Sequence, residues 1–188
     1  MKPALLRLRG RKGMTLMETL AAVLIIALLT TVVLSGSQAA FRVYVQDTFA
    51  SESQNVSDTI NRALSDVLRY AVNIKTDSDG RVTAYTNSSY GVTDGLICLG
   101  QASSADEGLI FLDYYGEGDS GNILLLSDLS YSRFRVVPAD YDPDKSGDSS
   151  SFDLQYSGGL FTGSYRLYDP ASQLLSDTFI FSLRAVND

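Results

Sequence analysis

The chain has 188 residues and a formal charge of −7, with fifteen basic and twenty-two acidic side chains, one cysteine and no histidine. Without histidine the usual general base and the imidazole metal ligands are missing, and one cysteine forbids an intrachain disulfide. Residues 1–13 hold five basic side chains and no acid, which leaves the rest at −12, a balance against broad binding to nucleic-acid phosphates.

Lys2, Arg7, Arg9, Arg11 and Lys12 form a cationic leader that ends at Gly13. Next come Met14-Thr15-Leu16-Met17-Glu18 and an apolar run from Leu20 to Leu34; between Met14 and Leu34 only Glu18 is charged. About 20 apolar residues suffice for a helix to cross a bilayer, and the leader's charge holds the N-terminus on the cytoplasmic side. A secretory signal places its apolar core first and a small-residue cleavage site after it. Here Gly13 stands before the run.

A basic leader, Gly13-Met14-Thr15-Leu16-Met17-Glu18 and an apolar helix, in that order, resemble the type IV pilin and pseudopilin family. The resemblance implies cleavage between Gly13 and Met14 by a prepilin peptidase, N-methylation of Met14, and an assembly role for Glu18. Physics supports the last point independently. A carboxylate at the centre of a membrane helix costs about 2.5–3.5 kcal/mol on insertion scales and is rarely kept without a partner. After cleavage Glu18 would lie about 6 Å along the helix from the new amine. A neighbouring subunit's amine could then offset it; the alternative is a Glu18 at the interface, reaching headgroups.

Past Leu34 the run yields to Ser35-Gly36-Ser37, and a narrower stripe follows: Phe41, Val45, Phe49, Val56, Ile60, Leu64 and Leu68, widened by Val67 and Ala71. The steps of four and seven follow helix periodicity. One helix from Met14 to Ala71, roughly 87 Å long, is expected, or else two helices hinged at Gly36.

After Thr76 the texture becomes β-like. Strands are expected over Arg81–Thr86, Gly95–Leu99, Leu109–Tyr115, Asn122–Ser127, Tyr131–Val137, Ser151–Tyr156, Leu160–Tyr168 and Thr178–Val186. Asp77-Ser78-Asp79-Gly80, Ser157-Gly158-Gly159 and Asp169-Pro170 mark turns. Ile123-Leu124-Leu125-Leu126 has no polar alternate and reads as a central strand. Arg133 and Arg135 read as solvent-facing alternates of an inward Phe134 and Val136, with an anion contact as the other option. Cys98 reads as a small buried hydrophobe. Nine of the eleven tyrosines follow residue 71; they suit a binding surface or, more plainly, the edges of a sheet face. The glycine-rich stretch 116–121 lacks the Lys-Ser/Thr ending of a phosphate loop and reads as an acidic turn.

One constellation could hold a metal. Asp140, Asp142, Asp144, Ser146 and Asp148 alternate oxygen donors as a calcium loop does. Lys145 stands where such a loop needs glycine, and Ser151 where it needs its closing glutamate, so a solvated acidic turn stiffened by Pro143 is the rival. No cofactor is otherwise required.

Together these readings predict an α+β chain: leader 1–13, membrane or filament-core helix 14–34, amphipathic continuation 35–72, and an extracellular β-rich domain over 73–188, with the helix packed on an antiparallel sheet. The expected function is structural rather than enzymatic: a type IV pilus subunit, either a minor or tip one or the bulk one. Alternatives are a pseudopilin of a type II secretion or DNA-uptake system, and an uncleaved single-pass anchor displaying a surface-binding module. The resemblance implies as partners a prepilin peptidase, sister pilins in a homo- or hetero-polymer, an assembly platform with its ATPase, and the membrane; nucleic acid enters only as uptake cargo. The expected location is a single-pass membrane protein with its N-terminus cytoplasmic, then a cell-surface filament.

Overall fold

The computed structural model describes residues 15–101, 104–127, 133–143 and 152–186. Its first element, α1 (Leu16–Leu68), is a helix of 53 residues that stays helical through Ser35-Gly36-Ser37. The chain divides into two compact units, residues 1–47 and 48–188.

In the first unit the described residues are helical from Leu16 onward and almost wholly exposed, Leu20 to Leu34 included. This stretch makes α1 long and apolar enough to cross a membrane. Branched and straight-chain aliphatics with no intervening proline keep the helix regular, and Thr30 and Ser35 return their hydroxyls to Ile26 and Val32 carbonyls at 2.8 and 3.0 Å.

In the second unit the rest of α1 lies against antiparallel sheets, an α+β arrangement. Its buried face carries Phe49, Ser53, Ser57, Ile60, Leu64, Val67 and Leu68, spaced as one side of a helix. The helix stops because its last carbonyls find other partners. Asn87 Nδ2 donates to the Val67 carbonyl at 2.7 Å, and Val186 N–H donates to that of Arg69 at 2.8 Å. The amphipathic continuation expected to residue 72 therefore ends at Leu68, and Val72 already opens a strand.

Three antiparallel sheets follow. The first holds β1 (Val72–Thr76), β2 (Val82–Asn87) and β3 (Val92–Gly95), in that order. The second is β4 (Cys98–Leu99), β5 (Ile110–Asp113) and β6 (Ile123–Leu124). The third holds β7 (Arg135–Val137), β8 (Asp153–Ser157), β9 (Leu160–Asp169), β10 (Leu174–Leu175) and β11 (Phe179–Arg184), and β9 pairs with all four others.

Register explains this centrality. β10 pairs Leu174 with Asp169, and β11 resumes one residue out of step, pairing Phe179 with Tyr165. The two are thus one strand interrupted by a bulge. Buried Ser176 fills the interruption: its N–H donates to the Leu167 carbonyl and its hydroxyl accepts the Leu167 N–H, both at 2.8 Å. Gly158 and Gly159 close the β8–β9 hairpin at φ 57° and 79°, the left-handed pair that a two-residue turn requires. Gly163 has no room for a side chain, since a Cβ there would meet the Phe181 ring at 2.5 Å.

Several expectations are corrected. Ile123–Leu124 is the half-buried edge of the second sheet, so an apolar run without polar alternates does not make a central strand here. The strand expected over Gly95–Leu99 is divided between β3 and β4, and β1 and β10 were not anticipated. Cys98 is half-buried rather than buried. In β11, by contrast, Phe181 is buried and Ile180, Ser182 and Arg184 are exposed, as the alternation requires.

Candidate functional site

Of the processing and assembly residues, Gly13 and Met14 lie outside the described residues, while Glu18 is described. Glu18 closes a reciprocal cap at the start of α1. Thr15 N–H donates to Glu18 Oε2 at 2.9 Å and the Thr15 hydroxyl to the same oxygen at 3.2 Å. Glu18 N–H in turn lies 3.3 Å from Thr15 Oγ1 and 3.0 Å from the Thr15 carbonyl. A Thr and a Glu three residues apart satisfy two orphan donors of a helix start in this way, and the carboxylate favours the positive end of the helix dipole. The Thr15-to-Glu18 spacing is the sequence signal of this cap.

In the second unit, two polar clusters hold the helix to the sheet. Tyr165, on β9, is fully buried and reaches α1 with its hydroxyl: Ser57 Oγ lies at 3.0 Å, Asn61 Oδ1 at 3.0 Å and the Ser57 carbonyl at 3.2 Å. Since a phenol has one proton, the Ser57 hydroxyl donates into Tyr165 while Tyr165 donates to Asn61. Burial pushes the Tyr165 phenol up to about 12.

The second cluster centres on Asp169, buried at the end of β9. Its carboxylate accepts from Arg133 Nε at 2.9 Å, the Ser172 hydroxyl at 2.6 Å and the Ala171 N–H at 2.9 Å. Arg133 also pairs with Glu52 of α1 through its NH1 nitrogen. Burial alone would raise the Asp169 carboxyl, but the donors from Ser172, Arg133 and Ala171 hold it below its ordinary value. Arg135 binds Glu107 at 2.6 Å. The anions that Arg133 and Arg135 meet are thus the chain's own carboxylates, while Phe134 and Val136 face inward as expected. Phe134 rests on Phe49 of α1, with ring centroids 5.7 Å apart.

A groove of about 550 Å³ opens where the three sheets meet, between Val82 and Thr83, Ile97 to Leu99, and Phe152 with Leu154. Asp77, Arg81 and Asp113 stand around it. Cys98 lines it with a thiol pushed up to about 11, by burial first and then by the Asp113 charge, so at neutral pH it is a thiol and a weak nucleophile. Two of the tyrosines, Tyr85 and Tyr165, are core residues rather than surface ones.

Of the calcium constellation, Asp140 and Asp142 are described, and Asp144, Ser146 and Asp148 lie outside the described residues. Asp140 is exposed beside a cleft of about 290 Å³ that Arg81 and Asp153 also line. Among the described residues no three carboxylate or cysteine side chains converge as a metal site. Comparison of the chain with protein-family models, with characterised proteins and with solved structures found no match.

Proposed function

We propose that this chain is a membrane-anchored structural subunit of the type IV pilin kind, processed after Gly13 and assembled into a filament through the apolar part of α1. The observation that carries the reading is the six-residue stretch Gly13 to Glu18 set directly before a helix whose apolar side chains, from Leu16 to Leu34, are exposed. Such a surface needs either lipid or other helices around it. In this reading the helices exchange lipid for one another on assembly, and the sheet unit, which holds most of the acidic side chains, stays outside. A pseudopilin in a secretion or DNA-uptake fibre would use the same parts.

The Thr15–Glu18 cap refines the role of Glu18. One carboxylate oxygen is engaged within its own helix, which lowers the cost of carrying the charge in lipid, while the group as a whole remains exposed. Cap and charge can be separated by substitution, because glutamine caps as glutamate does. Glu18→Gln keeps the helix start and membrane insertion and loses charge pairing with a neighbour's amine.

The test has two arms. Co-expressed with a prepilin peptidase, the chain should lose residues 1–13, roughly 1.5 kDa, and begin at N-methyl-Met14. Intact mass showing the leader retained would reject the reading in favour of an uncleaved anchor displaying a binding module, a rival that the 550 Å³ groove favours. In the second arm, Glu18→Gln should be cleaved and inserted normally yet be depleted from sheared fibres. Recovery equal to wild type would reject charge pairing at Glu18.

A further inference from the structure

Beyond the apolar span, α1 carries Phe41, Val43 and Tyr44 with more than half of each side chain in the open, Phe41 at 66% and Tyr44 at 67%. They lie past Ser35-Gly36-Ser37, where the continuous apolar run has ended and, by that measure, the span with it. Their spacing along the helix suggests otherwise. The uncharged stretch from Ala21 to Ala40 rises about 29 Å, close to the roughly 30 Å of a bilayer's hydrocarbon, and it lies between Glu18 and Phe41. Glu18 and Tyr44 are 26 positions apart, or about 39 Å, close to the 40–45 Å of a bilayer with its headgroups. If Glu18 lies at one headgroup layer, Tyr44 therefore lies at the other.

The residue types fit that depth. Phe41, Tyr44 and Val45 fall on one side of the helix, at steps of three and four. Tyrosine sits well where one end is apolar and the other wet. Exposed Arg42, beside them, is the sole basic residue between Lys12 and Arg62, and its guanidinium suits a lipid phosphate. A stalk designed for water has no need of three large apolar side chains around its only cation.

We infer that Phe41, Arg42 and Tyr44 form an interfacial collar that seats the unassembled protein in the outer headgroup layer, with phospholipid headgroups as the partner. The collar fixes how deep the span sits before assembly, so the span cannot slide toward either side without drawing aromatic rings into hydrocarbon or water. The inference rests on the membrane-anchored reading.

The chain has no tryptophan, so a single introduced tryptophan reports its own depth. The full chain, carrying Tyr44→Trp, Phe41→Trp or, as a mid-span control, Ile25→Trp, is reconstituted into phosphatidylcholine vesicles. The lipid is brominated either next to the headgroup end of the acyl chain or near its terminal methyl. Both collar probes should be quenched about twofold more by the shallow bromines, and Ile25→Trp more by the deep ones. Collar probes that neither lipid quenches, with Ile25→Trp quenched, would overturn the collar and leave the span intact. Collar probes quenched more by deep bromines would overturn it too, by placing the stretch inside hydrocarbon. If Ile25→Trp escapes the deep bromines, the spanning reading itself falls and the collar with it.

Discussion

Tyr165 and Asp169, four residues apart on β9, fasten the helix in two different ways. Tyr165→Phe removes one oxygen and leaves the Ser57 hydroxyl and Asn61 Oδ1 short of a partner. The expected loss is about 1–3 kcal/mol, read as a lower urea midpoint with an unchanged m-value. The same variant should lose an alkaline dependence. A phenol raised from 10.0 to about 12 by burial contributes stability that is complete below 10 and disappears as pH climbs toward 12. Asp169 works with the opposite sign. Its folded carboxyl lies below the ordinary 3.8, so its contribution is present above that value and is lost as pH falls through the folded one. Asp169→Asn should therefore be less stable at neutral pH and lose less on acidification. Urea melts across an acid series check this, and parallel slopes for variant and wild type would sink the assignment.

At the level of elements, α1 shows what pattern can and cannot reveal. Its existence, its apolar span and the stripe from Phe49 to Leu68 follow from spacing in the chain, because helical neighbours are near in sequence. Ser53 and Ser57 on the same stripe are polar by sequence yet buried, which spacing alone does not reveal: the partner of Ser57 is a tyrosine more than a hundred residues away, and Ser53 turns its hydroxyl back to the Ala50 carbonyl. The strands divide similarly. Alternation located β11 and the Gly-Gly hairpin located β8 and β9, whereas β1 bends through Asn73 at φ 51° and pairs with register shifts that blur any period. Ile123–Leu124 was misplaced because hydrophobicity reports burial, not the number of strand neighbours. The candidate site divides along the same line: Gly13 to Glu18 is local and legible, but the three-sheet groove and the Asp169 cluster arise only from tertiary packing. Gly36 raises a question pattern left open. A Cβ there meets nothing within 4 Å, and the helix passes through it unbroken. Gly36→Ala should thus stabilise α1 locally by about 1 kcal/mol, or roughly fivefold slower amide exchange around it. Hydrogen exchange on the full chain in micelles measures this, and unchanged or faster exchange would show that the glycine serves as a hinge.

For the whole molecule, the two units divide the chain's chemistry. Among its described residues, the first is an apolar helix whose side-chain hydrogen bonds are the Thr15–Glu18 cap and a few hydroxyls returned to its own backbone. The other is a core in which Ile60, Leu64, Val67 and Leu68 meet side chains from all three sheets. Its helix–sheet fastening joins positions far apart in the chain: Ser57 and Tyr165 are separated by 108 residues. That distance becomes a delay when the protein is made. At about 5–20 residues per second, β9 leaves the ribosome on the order of ten seconds after the helix face it covers. The pairings within β7 to β11 are short-range and can form as soon as the C-terminal stretch emerges, but the helix stripe must wait for them uncovered. For that interval the newborn chain presents an apolar helix face to whatever is nearest. The stripe from Phe49 to Leu68 thus stays bare for seconds in every new copy, and contact between two unfinished copies through it competes with closure of the sheet.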